Sequence, residues 1–527
     1  MLRVSAILFF FIYISIAFTQ PVQEYVDYWD VEHKQKRSEG KYKFGFEDGL
    51  WKFWYPSGQL KEVSHYELGQ LKDKTAIWYE NGKKKQEGWF KRDLQDSTYV
   101  EWHENGNTKR TGYFNKGIQD SIWTDFYYNG EKAYEQKFDN GKIILLNSWD
   151  TAGVQTVKKG TGIFRKVFEN GKKEVESQYA NGQKNGPSSK WYANGQLQEK
   201  GKYKNNKRDS VWNFWLKNGK KEKTVGYSNG ILHGKYTKYY PDGRINIVGL
   251  HVSRMKQGVW IWYYPNGNKD MEGEFMKDKQ HGLWKYYYQG GKKESEGHYK
   301  KDKREGKWTY WYIDGSKRKE GNHKNDLKDD LWTTWFENGQ KLHEGPYKEG
   351  KEEGLWQAWY ENGQLQDKGN YSAGKMDGKW EGWFVNGQTN YEGTLKNELR
   401  QGQWTFWFFD GKLREKGSYK AGQKDGHWEF YINTGTKDSE GNYIEGKQTD
   451  TWTYYFETGQ KAREISYIEG KLDGKSRAWF QGGQLQSEIN YKQGIKQGKY
   501  VIYDKQGNLQ MKKSYKMGQV VKEFKEK

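Results

Sequence analysis

The chain contains no cysteine and only 6 prolines among its 527 residues. Without cysteine, disulfide bonds and the common structural zinc sites are excluded, so packing alone must stabilise the fold. Hydrophobic residues make up only 34% of the chain, and no stretch beyond residue 20 is apolar enough to span a bilayer. These shortages argue against a large aliphatic core and against a polytopic membrane protein.

Aromatic residues are abundant by contrast, with 27 Trp, 41 Tyr and 24 Phe. Disordered segments lack such residues, so the chain is expected to fold. Because most of the apolar surface available for burial is aromatic, the composition predicts a thin core.

A glycine recurs at a fixed spacing through most of the sequence. From Gly171 to Gly507 it falls every 24 residues over 14 intervals without a slip, and Gly58, Gly82, Gly106 and Gly130 share the same period. A fixed period of this length predicts a stacked array of one small unit, in which each copy contacts only its neighbours.

Each unit has the pattern of two strands and two turns. The aromatic and threonine-rich run 332–336 favours a strand, and Asn338-Gly339 after it is a strong hairpin signal. The return strand is expected over 341–347 and a second, Gly- and Lys-rich turn over 348–354. No segment has helical periodicity. The sequence predicts an all-β, elongated, single-layer ribbon of antiparallel β-hairpins, with about 20 units of 24 residues.

Residues 1–19 differ in kind from the repeats. Arg3 precedes a mostly apolar run over 4–18, and Ala17 and Thr19 suit the small-residue positions before a cleavage site. This pattern predicts a cleaved secretory signal and an exported protein, with an uncleaved anchor as the alternative. The remaining predicted segments are a lead-in at 20–38, N-terminal repeats at 39–141, a degenerate repeat and irregular connection at 142–170, regular repeats at 171–518 and a charged tail at 519–527.

Strand alternation assigns two aromatic faces to the ribbon. One face carries the first aromatic residue of each strand, such as Trp356. The opposite face carries the residue three positions later, and this column contains five consecutive tryptophans: Trp311, Trp335, Trp359, Trp383 and Trp407. Tryptophan is enriched at the anchor points of binding surfaces, so these five are the predicted binding stripe. Alternatively, they simply hold adjacent hairpins together.

No catalytic, metal or cofactor site is predicted. His251 and His323 fall in a return-strand column that is otherwise mostly tyrosine, so they are interpreted as packing residues. No histidine spacing matches a zinc site, and the glycines are turn glycines rather than a phosphate-binding loop. Residues that recur in every unit are interchangeable, which is the opposite of an active site.

The formal net charge of +20 raises the question of an anionic partner. Lysine recurs in both turns of most units but is mixed with Asp and Glu, which is typical of solvated turns. Nucleic acid is a poor candidate for an exported chain. Anionic envelope polymers or acidic lipid headgroups suit a positive ribbon better, beside a protein partner.

The segment from Gly369-Asn-Tyr371 to Asn386-Gly387 resembles the MORN-repeat variant family and is similar to its bacterial antitoxin-like group. The resemblance implies a β-hairpin ribbon that binds proteins or membrane lipids without catalysis. The leading functional hypothesis is therefore an exported, non-enzymatic scaffold. A cell-wall or glycan-binding module is the alternative, because Trp-Tyr-x-Asn-Gly also resembles choline-binding wall repeats, and an antitoxin-like partner-binding protein is the third.

Overall fold

The computed structural model describes residues 22–524. The predicted signal peptide, residues 1–19, lies outside this range. All regular structure between residues 22 and 524 is β-strand, in 44 strands, and neighbouring strands of the sheet pair antiparallel. The prediction of an all-β array of hairpins is confirmed.

The chain divides into two compact units. The first holds the described residues up to Arg244 together with 251–254, and the second holds 245–250 and the residues from Met255 onward. The strands of the first unit are β1 (Gln23–Tyr28), β2 (Lys36–Lys43), β3 (Phe46–Trp54), β4 (Leu60–Glu67), β5 (Gln70–Trp78), β6 (Lys84–Lys91), β7 (Leu94–Trp102), β8 (Thr108–Asn115), β9 (Ile118–Phe126), β10 (Lys132–Asp139), β11 (Lys142–Trp149), β12 (Gln155–Lys158), β13 (Thr161–Val167), β14 (Lys173–Ala180), β15 (Gln183–Trp191), β16 (Leu197–Lys204), β17 (Lys207–Trp215), β18 (Lys221–Ser228) and β19 (Ile231–Tyr239).

Strand β20 (Ile245–Val252) has residues in both units. The strands of the second unit are β21 (Met255–Tyr263), β22 (Lys269–Met276), β23 (Lys279–Tyr287), β24 (Lys293–Lys300), β25 (Lys303–Trp311), β26 (Lys317–Lys324), β27 (Leu327–Trp335), β28 (Lys341–Lys348), β29 (Lys351–Glu352), β30 (Gly354–Trp359), β31 (Leu365–Ser372), β32 (Lys375–Trp383), β33 (Thr389–Lys396), β34 (Leu399–Trp407), β35 (Leu413–Lys420), β36 (Gln423–Tyr431), β37 (Lys437–Ile444), β38 (Lys447–Tyr455), β39 (Lys461–Ile468), β40 (Lys471–Trp479), β41 (Leu485–Lys492), β42 (Ile495–Tyr503), β43 (Leu509–Lys516) and β44 (Gln519–Phe524).

The turn between β25 and β26 has the geometry expected from its sequence. The Gly315 N–H donates to the Tyr312 carbonyl at 3.0 Å, and the Tyr312 N–H donates to Ser316 at 2.8 Å. Gly315 has φ +101°, a left-handed conformation that glycine adopts without strain. This combination closes a three-residue hairpin loop with a glycine bulge.

The turn between β26 and β27 is shorter than the sequence pattern predicted. Asn325 and Asp326 both have positive φ, 52° and 74°, and by themselves reverse the chain. Asparagine and aspartate tolerate this conformation better than other non-glycine residues. The Gly- and Lys-rich residues expected in a long turn therefore lie largely within strands, and β27 begins at Leu327, five residues before the predicted run at 332–336. The turn predicted at 348–354 is wrong in the same way, because only Glu349, Gly350 and Glu353 lie outside strands there.

The predicted irregular connection, 142–170, contains β11, the four-residue β12 and β13. Leu145, Val157 and Phe164 form a small aliphatic and aromatic cluster there. Gly182, from the turn after β14, donates its N–H to the Gly160 carbonyl at 2.9 Å. The last segment, predicted as a charged tail from residue 519, contains strand β44.

Candidate binding surface

The two faces of the repeat sheet differ in chemistry. We name the face that carries Trp308 and its equivalents the packed face, and the face that carries Trp311 and its equivalents the lysine face. On the packed face, the relative exposures of five successive tryptophans are Trp308 2%, Trp332 3%, Trp356 9%, Trp380 7% and Trp404 3%.

Each buried tryptophan of the packed face lies flat over a glycine of the preceding strand. A Cβ atom added to Gly321 would lie 2.3 Å from the Trp332 ring, well inside van der Waals contact. The Trp332 Nε1–H donates to the Asn322 carbonyl at 2.9 Å, which satisfies the buried indole donor. The same glycine and tryptophan recur 11 residues apart in many units, as in Gly297 with Trp308.

Return-strand aromatic rings complete the packed face. His323 stands edge-on to Trp332 with ring centroids 5.0 Å apart, and Tyr347 does the same to Trp356 at 5.1 Å. Burial and the nearby Arg304 charge lower the pKa of His323 to about 4. His323 is therefore neutral near pH 7 and takes the place of a tyrosine, which supports its interpretation as a packing residue.

Cations are also built into the packed face. Lys424 lies with Nζ 3.8 Å from the Trp428 ring centroid and 4.4 Å from that of Phe430, and it pairs with Glu415 at 2.8 Å. Arg208 lies 4.5 Å from the Trp212 ring centroid and is paired with Glu199 at 2.6 Å. A cation between an aromatic wall and a carboxylate is a favourable arrangement when partly desolvated.

The lysine face carries the five predicted binding residues. Trp311, Trp335, Trp359, Trp383 and Trp407 are all half-buried there. Lys317 Nζ lies 5.5 Å from the Trp335 ring centroid and 3.0 Å from Glu320. Lysines lie over three more of the five: Lys293 over Trp311, Lys341 over Trp359 and Lys368 over Trp383.

The main chain of these tryptophans also links successive units. The Tyr312 hydroxyl donates to the Trp335 carbonyl at 2.8 Å, and the Tyr360 hydroxyl donates to the Trp383 carbonyl at 3.0 Å. The hydrogen bonds use the backbone of the tryptophans and leave their side chains on the lysine face. A structural role and a binding role are thus compatible at the same positions.

One group on the lysine face has residue types that can hold a metal ion: His427, Glu429 and Glu440. Lys437 already lies between the two carboxylates, 3.1 Å from Glu429 and 2.8 Å from Glu440. Burial raises the pKa of Glu429, but Lys416, Tyr431 and Lys437 outweigh it and lower this pKa to about 2. Lys416 and Lys437 already neutralise the carboxylates of Glu429 and Glu440, so a divalent cation fits poorly.

Sequence reasoning missed two regularities of the packed face. The first is the glycine–tryptophan pair at spacing 11, which explains why a glycine recurs in the middle of the return strand. The second is an ion pair between an acid and a base nine residues apart, which occurs in two units: Glu199 with Arg208 and Glu415 with Lys424. Aligning the units by their turn glycines would have exposed the glycine–tryptophan pair, because it occupies a constant position in the repeat.

Comparison with known proteins agrees with this repeat geometry. The sequence profile of the MORN repeat variant matches at seven places: 47–68, 184–205, 256–277, 280–301, 352–373, 400–421 and 472–493. Each match begins in one strand, spans the hairpin turn and ends one residue after the following return strand. A search of curated proteins gave no match.

Among solved structures, two matches are titled "Crystal Structure of TcdB2-TccC3" and "Crystal Structure of TcdB2-TccC3-Cdc42". Both are 10% identical to this chain, cover 95% of it and have TM-scores of 0.13 and 0.12. The chain spans about a third of their length, 33% and 32%. Similarity at this level has no bearing on function.

The family assignment thus rests on the repeat sequence and on its hairpin geometry. Strands β25 to β28 show how the repeated glycine, tryptophan and turn residues each have a defined structural role. Seven segments of the chain are MORN repeat variants, and they lie in an array of β-hairpin repeats.

Proposed function

We propose that the chain is a non-enzymatic scaffold that binds another protein, or an anionic envelope component, along its lysine face. The observation that carries the proposal is repetition. A half-buried aromatic ring, a lysine over it and a glutamate beside that lysine recur in unit after unit, as in Trp335, Lys317 and Glu320. Such a surface suits a partner that contacts several units at once.

The absence of enzymatic activity belongs to the same proposal. A catalytic site needs titratable groups free to exchange protons or hold a metal. Within residues 22–524 the best candidate cluster, around Glu429, is held by Lys437 and Lys416. The functional hypothesis therefore places recognition, rather than chemistry, on the repeats.

The mixed charge of the lysine face favours a protein partner over a glycan. Stacking of a sugar on Trp335 would compete with Lys317, whose ammonium group lies over the ring. The remaining excess of lysine over acid, part of the net charge of +20, supports an anionic lipid headgroup or polysaccharide as the second kind of partner. A wall or glycan-binding module remains the alternative function.

We also propose that the protein is exported, on the basis of residues 1–19. Cell fractionation and N-terminal sequencing of the mature protein test this directly. Cleavage near residue 19 with the protein in the envelope or medium supports export. A full-length chain in the cytosol would contradict export and favour the antitoxin-like hypothesis. The structure adds one finding: nowhere in its described range is there a helix able to cross a membrane.

The binding proposal is tested with immobilised chain 20–527. Envelope extract, purified wall polysaccharide and vesicles of anionic lipid are offered separately, and bound material is measured. Trp335→Ala, Trp359→Ala and Trp383→Ala should each weaken capture of the protein partner at unchanged fold. Ile313→Ala is the matched control, because Ile313 is 70% exposed in a turn of the same array. Equal capture by all variants would contradict a binding role for the stripe.

A further inference from the structure

The packed face contains an acid that lacks the cation found beside the equivalent acid in two other units. In two units the third residue of the return strand is a glutamate with a cation nine residues later: Glu199 with Arg208, and Glu415 with Lys424. In the unit between β31 and β32 the equivalent acid is Asp367, and the residue nine positions later is Met376. The acid is kept and its cation is replaced by an uncharged side chain.

The backbone register shows that the three positions are equivalent. Glu415 is opposite Phe430 and Tyr419 is opposite Lys424. Asp367 is likewise opposite Gly382, and Tyr371 is opposite Met376. The difference is therefore one of side chains on an unchanged strand pairing.

Among the described residues, none supplies a cation or a hydrogen-bond donor to Asp367. Across residues 22–524, no ion pair or hydrogen bond involves its carboxylate, and burial alone raises its pKa. The nearest basic residue along the chain, Lys368, is on the lysine face and is paired there with Glu381 at 2.9 Å. Arg400, on the packed face, donates to the Tyr419 hydroxyl at 3.0 Å.

The aromatic wall that normally accompanies the cation is still present. Trp380 is 7% exposed, and Tyr371 stands edge-on to it with ring centroids 5.5 Å apart. Where Glu415 has Phe430 opposite, Asp367 has Gly382, and Ala358 lies opposite Asp367 on the other side. The Tyr391 ring lies over Gly382 and bounds the carboxylate on that side.

We propose that Asp367, Trp380 and Tyr371 form a binding site for the arginine or lysine side chain of a partner protein. The incoming cation takes the place that Arg208 and Lys424 occupy in the equivalent units, pairing with the carboxylate and lying against the indole. Met376 is unbranched and flexible, so it can move aside within the cluster. The site lies on the packed face and is separate from the tryptophan stripe. Only the identity of its occupant rests on the proposed protein-binding function.

The test uses N-acetyl-L-arginine amide as the cationic probe and the citrulline analogue as its uncharged counterpart. The chain 20–527 is labelled with 5-fluorotryptophan, and the Trp380 signal is assigned by its loss in Trp380→Phe. The arginine probe should shift this signal saturably, with half-saturation on the order of millimolar, and the citrulline probe should not. Tetramethylammonium, which cannot donate a hydrogen bond to Asp367, should bind more weakly.

Two variants should abolish the shift by different routes. Asp367→Asn removes the charge at almost constant shape, and Met376→Lys supplies the chain's own cation, as in the unit of Lys424. No shift in the parent, or an undiminished shift in Asp367→Asn, would overturn the site.

The same variants separate this inference from the proposed function. If the parent captures an envelope protein but does not respond to the arginine probe, the site is wrong and the scaffold proposal stands. If the probe binds and Met376→Lys leaves capture of that protein unchanged, the partner-protein occupant is overturned. A loss of capture in both Asp367→Asn and Met376→Lys, with folding unchanged, supports it.

Discussion

Trp332 and Trp335 are three residues apart on β27 and have opposite surroundings. Trp332 lies flat over Gly321, is 3% exposed and donates its indole N–H to a carbonyl of the neighbouring strand. Trp335 faces the other side of the sheet, is half-buried and lies beneath the ammonium group of Lys317. Strand alternation separates the two faces, but the partner on the adjacent strand decides which tryptophan is buried.

This comparison explains how a sheet with few aliphatic residues gains a core. A glycine in the neighbouring strand lets a large flat ring approach the backbone, so one ring covers main chain that would otherwise be exposed. On the lysine face the neighbouring strand offers glutamate and lysine, and the ring stays available for contact. Substitutions on the two faces test this contrast.

The largest effect is expected for Trp332→Ala. Removing a buried tryptophan typically costs about 3–5 kcal/mol, because apolar burial is lost and a cavity remains. The free energy of local unfolding around β26 to β28, measured by amide hydrogen exchange, should fall by this amount. A loss below about 1 kcal/mol would contradict the assignment of this ring to the core.

The glycine side of the same contact is tested by Gly321→Ala. The added methyl group would lie 2.3 Å from the Trp332 ring, so the indole must move. Overpacking of this kind costs about 1–3 kcal/mol. Gly290→Ala is the matched control, because a Cβ there meets nothing within 4 Å. Equal losses at the two positions would show that the effect is a general one of replacing glycine.

The pH dependence of the packed face is tested by His323→Tyr. Burial, aided by the Arg304 charge, lowers the pKa of His323 to about 4 in the folded chain, against about 6.5 unfolded. The unfolded state therefore binds the proton more readily. The contribution of His323 to the free energy of unfolding should be constant above pH 6.5 and fall toward pH 4, by at most about 1.4 kcal/mol per pH unit.

Tyrosine at position 323 should remove that slope, since it does not titrate in this range. The measurement is the difference in unfolding free energy between parent and variant at several pH values, in which the other titrating groups cancel. A difference independent of pH between 4 and 6.5 would contradict a neutral, buried His323.

A smaller loss of stability is expected for Trp335→Ala. Its ring is only half-buried, so we expect about 1–2 kcal/mol from the apolar area lost. Partner capture should fall more than stability does, since the ring contributes to the lysine face. Thermal unfolding and capture are measured on the same preparation. A loss as large as that of Trp332→Ala would place Trp335 in the core and remove it from the binding stripe.

The smallest effect is expected for Glu429→Gln on the lysine face. The pKa of Glu429 is lowered to about 2, because its lysine and tyrosine partners outweigh the effect of burial. A lowered carboxylate pKa stabilises the fold above about pH 4.5, and this contribution is lost as the pH falls toward 2. At pH 7 the variant should lose no more than about 1 kcal/mol, and the difference from the parent should vanish near pH 2. Glu457→Gln, at an exposed turn position, is the control.

The period and the hairpin were predictable because they depend on local chemistry. Gly315 and Asn338-Gly339 mark turns through backbone conformations that few other residues adopt, and the aromatic runs mark strands. The second turn was predicted too long because Asn325 and Asp326 reverse the chain in two residues. A composition rich in Gly and Lys resembles a loop until strand pairing satisfies its backbone groups.

The two candidate sites also differ in how far they could be predicted from the sequence. The five tryptophans of the stripe could be placed on one face from strand alternation alone, and their role in binding remains a prediction. Asp367 could not be singled out from composition, because a single acid in a charged chain is unremarkable until its register opposite Gly382 and its lack of a cation are known.

The period, the strand and turn order and the existence of two aromatic faces could be predicted from local sequence, since they follow from backbone conformational preference and alternation. The burial of one aromatic column and the pairing of individual acids became clear from the folded chain alone. Those outcomes depend on residues in neighbouring strands, 9 or 11 positions away along the chain, that hydrogen bonding brings into register.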